Sequence, residues 1–147
     1  MNVVGFVSRE KTVIRRLSIA TGRQGLHEIT PVVESVVRQE GVREGLCTIF
    51  VQHTSASLLV QENADPAVCH DLEQWLNRLV PEDAGLYTHG SEGPEDMPAH
   101  IKSTLTANSV CVPIIDGSLG LGTWQGIFLW EHRNHRDSRQ VIVHIQA

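Results

Sequence analysis

An α+β fold is what this sequence predicts: a single domain, mainly antiparallel β-sheet, with about three helices. Three observations carry that expectation. Apolar stretches at 46–52, 109–115, 123–131 and 138–146 are short and rich in β-branched or aromatic residues, and the last alternates through Val141, Val143 and Ile145. Two pairs, Thr30-Pro31 and Asp65-Pro66, each precede apolar residues at helical spacing. The length, 147 residues without repeat or linker, suits one core, so 1–147 is read as one domain.

In chain order, residues 10–20 place Val13, Leu17 and Ile19 on one parity, with Arg15 among them, which reads as an edge strand. Thr21 to Leu26, with Gly22 and Gly25, reads as a turn. Thr30 is the expected cap of a first helix through Val33, Val36 and Val37, stopped by Gly41. Residues 46–52 form a buried strand that ends in His53-Thr54-Ser55, and Ala56 to Val60 continue as a second strand. Asp65-Pro66 opens a helix with the stripe Val68, Leu72, Trp75, Leu76 and Leu79, ending before Pro81. A long polar loop covers 81–97, and Pro98 opens a short helix with Ile101 and Leu105 inward. Pro113 places an edge or a bulge in the 109–115 strand. Asp116-Gly117 is a turn signal, and residues 132–137 are the expected hairpin loop between the last two strands.

Net charge is −5, which argues against a general nucleic-acid binder. Three cysteines without CxxC spacing argue against a disulfide framework or a thiolate zinc site, and Cys47 and Cys111 read as buried hydrophobes. The opening residues lack the apolar run of a signal peptide, and no stretch has the apolar length of a membrane span. The expected location is therefore the cytoplasm, with no membrane or nucleic-acid partner.

The chemistry concentrates in four stretches. His89 to His100, HGSEGPEDMPAH, gathers two imidazoles with Glu92, Glu95 and Asp96 on a backbone stiffened by glycine and proline. His89, His100 and Asp96 supply nitrogen and oxygen donors with a position to spare, the pattern of a catalytic metal site. His53-Thr54-Ser55 and Glu62-Asn63 flank an apolar strand, and the amide and acid are expected to share a polar pocket with His53. Asp65 has a simpler duty as a helix cap. Gly120 to Gln125 places Trp124 and Gln125 after a flexible loop, without the spacing of a P-loop. Glu131 to Arg136, followed by Arg139, brings an acid and three arginines near a strand end. There Glu131 is either functional or the partner of Arg133 or Arg139. No GxSxG, HExxH or Cys-His signature is present, so Ser55 and Ser57 lack a nucleophile setting.

QHTSASLLVQENADP, HGSEGPEDMPAHIKSTL and LGTWQGIFLWEHR, in that order, resemble the YjbQ-like family of secondary thiamine-phosphate synthases, over about Leu17 to Ile145. EHRNHRDSRQ departs from the Gly-Pro-Arg turn of other members, so His132 and His135 inherit no role. The resemblance implies a homotrimer, with a His/carboxylate site near subunit contacts that holds a divalent metal ion, zinc or magnesium. It implies a weak transferase activity that joins hydroxymethylpyrimidine diphosphate to thiazole phosphate and releases pyrophosphate. Glu62, Asn63, His53 and Glu131 are then the expected catalytic set. Thr54, Ser55, Trp124 and Gln125 are expected to bind substrate, with Trp124 stacking on a heterocycle and Lys102 and Arg133 neutralising the leaving group. His89, His100, His53 and Asp96 are the expected metal ligands. Two other classes fit the same residues. One is a non-catalytic trimer that binds a metal or an anionic metabolite. The other is a metal-dependent phosphohydrolase with His100 or Glu62 as base.

Overall fold

The computed structural model of the chain describes residues 10–134 and 138–147. The strands are β1 (Thr12–Ala20), β2 (Gly25–Glu28), β3 (Gly45–Val51), β4 (Ala56–Glu62), β5 (Ser109–Ile115), β6 (Ser118–Leu119), β7 (Gln125–Glu131) and β8 (Ser138–Gln146). The helices are α1 (Thr30–Glu40), α2 (Pro66–Leu79) and α3 (Asp96–Leu105), with a 3₁₀ turn at Ala84–Leu86. Two antiparallel sheets result, one of five strands in the order β1-β8-β3-β5-β6 and one of three in the order β2-β7-β4.

The sheets face each other across the main core. Cys47, Ile49, Val51, Val112, Val141, Val143 and Ile145 come from the larger sheet, Ala56, Leu58, Ile127 and Leu129 from the smaller, with Val33 and Val37 of α1. On its other face the smaller sheet packs Phe128 and Trp130 against Leu26, Leu76 and Val80. β7 is therefore covered on both sides, which is why its sequence is a continuous apolar run rather than an alternation. α2 buries only Leu76 of its stripe, and Trp75, Leu79 and Leu105 stand half exposed or more, so the expected inward Leu105 is corrected.

Local signals hold where they are local. Gly41 ends α1 at φ 65, with its N–H on Arg38 O. Asp65 caps α2 by accepting from Ala67 N at 2.9 Å. Asp116 and Gly117, at φ 52 and 85, make the tight turn between β5 and β6. Other expectations change. Residues 25–28 form a strand paired to β7 rather than part of a turn. The Thr30 hydroxyl accepts from Ile127 N instead of capping α1, which starts at Thr30 itself. Cys111 lies exposed on the outer sheet face. β3 with β4, and β7 with β8, are consecutive yet lie in different sheets, so neither pair is a hairpin. Residues 135–137 of the expected last hairpin loop, including His135 and Arg136, lie outside the described residues. Among the described residues no helix is long and apolar enough to cross a membrane.

Candidate metal centre

The ends of β3 and β7 and the starts of β4 and β8 meet at one end of the sandwich, and α3 lies across it. Ser103 Oγ donates to Ala56 O at 3.1 Å, and His100 Nδ1 lies 3.2 Å from Thr54 O. α3 starts at Asp96, two residues before Pro98, which puts Asp96 and His100 at i, i+4 on one helix face. Gly93, at φ 107, turns the loop into the helix where a Cβ would meet Glu95 Oε2 at 2.7 Å.

Four side chains converge there: His89, Glu92, Asp96 and His100 each offer a ligand atom, all within 4.8 Å of one another. Asp96 is the centre. Its Oδ2 lies 2.7 Å from His89 Nε2 and 3.2 Å from His100 Nε2. Glu92 Oε2 stands 3.6 Å from His89 Nε2. The imidazoles meet edge to face, with ring centroids 5.4 Å apart. Arg133 Nη1 lies 3.3 Å from Asp96 Oδ1, and Nη2 lies 3.1 Å from Glu95 Oε1 and donates to Glu92 O at 3.0 Å. Burial alone would raise the Asp96 carboxyl. Hydrogen bonds with His89 and Glu92 and the charges of Arg133 and His100 outweigh burial and hold it below the usual carboxylate range.

The donor set fits a metal ion. The Thr54 carbonyl can only accept, so it holds the proton of His100 on Nδ1 and leaves Nε2 directed at Asp96. Two nitrogens and two carboxylates in such a cluster match the ligand types of zinc better than the all-oxygen shell of magnesium. Beside His100 opens a cleft of about 550 Å³ lined by His53, Thr54, His100, Thr104 and Asn108 among others. That is the size range of small-molecule sites.

Several expected site residues are placed elsewhere. His53 lines the cleft, but its Nε2 accepts from Gln140 N at 2.8 Å and it stands outside the four-residue cluster, so its place in the ligand set is corrected. Glu62 and Asn63 do not share a pocket with His53. They lie at the opposite end of β4, whose seven residues span about 20 Å. There Asn63 Nδ2 donates to Glu28 Oε1 at 3.0 Å and Asn63 N donates to Trp124 O. Trp124 is exposed at this far end, and Gln125 Oε1 accepts from Gly122 N at 2.8 Å, so neither reaches the cluster.

Glu131, expected to be catalytic, is fully buried between the sheets. It accepts from Arg139 Nε at 2.6 Å, Arg139 Nη2 at 2.5 Å, Thr21 Oγ1 at 3.0 Å and Arg133 N at 3.0 Å. Burial would raise its carboxyl, and the Arg139 hydrogen bonds and charge, with Arg133 N–H and Thr21, reverse this and hold it low. Every lone pair is thereby committed, which leaves no capacity for a substrate. Arg139 Nη2 also donates to Ser55 Oγ at 2.9 Å, which commits Ser55 to the same network. Lys102 points away from the cluster. It is 2% exposed and its Nζ donates to Asn77 Oδ1 at 2.6 Å, because six residues after Asp96 a side chain lies on another face of α3. Arg133 is turned onto Glu95 and Asp96 rather than into the cleft. Glu92 was missing from the expected ligand set. Starting α3 at Asp96 would have revealed the i, i+4 pair, but no spacing rule points to Glu92.

The chain matches the family model described as UPF0047 protein YjbQ-like over residues 15–147. It is 56% identical over 131 residues to a UPF0047 protein of Synechocystis, with 89% of each chain covered. It is 42% identical to UPF0047 protein YjbQ of Escherichia coli O157:H7, covering 90% of this chain and 96% of that one. Among solved structures, a YbjQ-like protein of unknown function from Sulfolobus solfataricus superposes with a TM-score of 0.86 at 27% identity, covering 95% and 99% of the two chains. A YjbQ/UPF0047 protein from Clostridium acetobutylicum superposes with a TM-score of 0.82 at 36% identity, covering 89% and 98%. A match of this extent places the chain in the YjbQ-like UPF0047 family.

Proposed function

We propose that His89, Glu92, Asp96 and His100 hold one divalent metal ion, and that the ion assists a transfer reaction on a small phosphorylated metabolite in the neighbouring cleft. The observation that carries this reading is the convergence of two imidazole Nε2 atoms on a single oxygen of a nearly sealed carboxylate. A metal ion placed where those atoms converge would take a lone pair from each imidazole and from the carboxylate. The thiamine-phosphate synthase reaction is the specific transfer proposed, from the family resemblance. When bound, the ion would supply the positive charge that a departing pyrophosphate requires. The described residues lining the cleft include no lysine or arginine, which makes that charge the more necessary. The chain's own part is to orient the ligands through Thr54 and Arg133 and to present hydroxyl and amide groups in the cleft.

The proposed assembly is a homotrimer formed through the outer face of the five-stranded sheet. Ile14, Leu46, Phe50 and Ile115 are all 40% or more exposed there, beside Ile142 and Pro113. Sedimentation at micromolar concentration should give a species of three times the chain mass, and Phe50→Glu should dissociate it. A wild-type monomer would refute the trimer.

The activity is tested by incubating purified protein with hydroxymethylpyrimidine diphosphate and thiazole phosphate, with and without a chelator. Thiamine phosphate formed only without the chelator is the expected result. Metal binding without turnover would leave a non-catalytic metal-binding module.

A further inference from the structure

We propose that one water molecule sits in the small, partly open pocket between α2, α3 and the end of β7, accepting a hydrogen bond from Lys102 and donating one to His132 Nδ1. The site is independent of the metal reading. Its walls include Gln24, Asn77, Lys102, Trp130 and His132, and its free volume of about 10 Å³ is the room one water needs.

A directed chain of hydrogen bonds runs around this cavity. Lys102 Nζ donates to Asn77 Oδ1 at 2.6 Å, Asn77 Nδ2 to Gln24 Oε1 at 3.2 Å, and Gln24 Nε2 to His132 O at 3.1 Å. The chain starts on the amino group of Lys102 and ends on the backbone of His132. One gap keeps it from closing: the His132 ring. That residue is 1% exposed, its Nε2 lies 2.7 Å from Ser57 Oγ, and its Nδ1 has no partner among the described residues. An unpaired ring nitrogen in a polar cavity with room for one water is the setting in which buried waters are found.

The chemistry of the two ends fits water. Charged or neutral, the Lys102 amino group has donors beyond the one given to Asn77. Burial, with the charges of Lys102 and Arg139 nearby, pushes His132 down to about 3, so its ring is neutral and carries a single N–H. A water that accepts from Lys102 and donates to Nδ1 places that proton on Nε2, directed at Ser57. The water thereby ties α3, which carries Asp96 and His100, to the end of β7, which leads into Arg133.

A crystal structure of the full chain at neutral pH, at a resolution that shows ordered solvent, should contain one water within hydrogen-bond distance of both Lys102 Nζ and His132 Nδ1. A dry cavity or a direct Nζ–Nδ1 contact would overturn the proposal. Long-range proton–nitrogen NMR on the same protein supplies an independent check. The Nε2–H tautomer with a hydrogen-bonded Nδ1 supports the water, and the Nδ1–H tautomer overturns it.

Discussion

Asp96 and Glu131 are both carboxylates almost sealed from solvent, 2% and 0% exposed, and both sit at the same end of the sandwich. Their partners differ in kind. Glu131 is met by four donors from the chain itself, led by the bidentate guanidinium of Arg139. Asp96 gives one oxygen to Arg133 and turns the other to His89 and His100, whose side chains are 41% and 32% exposed. A carboxylate saturated by permanent donors is part of the scaffold. A carboxylate whose second oxygen faces reachable imidazoles has neighbours that can share a cation with it. Burial and charge alone do not tell these two apart; the permanence of the partners does.

The largest effect expected from this contrast belongs to Glu131. Glu131→Gln leaves Arg139 as an uncompensated buried charge, so denaturant unfolding should show a loss of about 3–5 kcal/mol. The folded fraction should keep the wild-type metal affinity. An unchanged stability would erase the distinction between the two carboxylates.

His132, beside Glu131, sharpens the contrast through pH. Its folded value of about 3 lies below the ordinary 6.5, so the unfolded chain binds the proton more readily. The stability it contributes is complete above about pH 6.5 and falls by about 1.4 kcal/mol per unit between there and pH 3. Urea midpoints measured down that range should show the slope. His132→Phe should flatten that part of the curve, and a slope kept in full would assign it to other groups.

The smallest effect belongs to Asn63. Among the described residues its side chain makes one hydrogen bond, to Glu28, at the far end of β4 from the cluster. Asn63→Ala should change stability by about 0.5 kcal/mol or less and metal affinity by less than about twofold. A large loss of metal affinity would mean that the far end of the sheet, in this copy or in another, belongs to the site.

What was legible in the sequence follows from the range of the forces involved. The starts of α1 and α2 and the β5–β6 turn were readable because proline, glycine and Asp-Gly constrain the backbone within a few residues. The cluster loop was readable because its imidazoles and carboxylates are close in sequence. Strand partners were not, because β3 and β4 separate into two sheets for reasons of packing rather than of local propensity. The Glu131–Arg139 pair left a faint signal. Glu131 shares its parity with Ile127 and Leu129, and Arg139 shares its own with Val141, Val143 and Ile145, so both charges face the core. Reading 132–137 as a hairpin loop hid that these strands face each other across the sandwich. Asn63 was misplaced for the converse reason, since a missing local duty does not bring a residue to a distant histidine.

Whether the cluster holds a metal is decided by a calorimetric titration of metal-free protein with zinc at neutral pH, on wild type and on His100→Ala. Wild type should bind one ion per chain, and the variant should bind at least a hundredfold more weakly, equivalent to about 2.7 kcal/mol, with the fold intact by circular dichroism. Equal affinity and stoichiometry in the two proteins would contradict a metal held by this cluster.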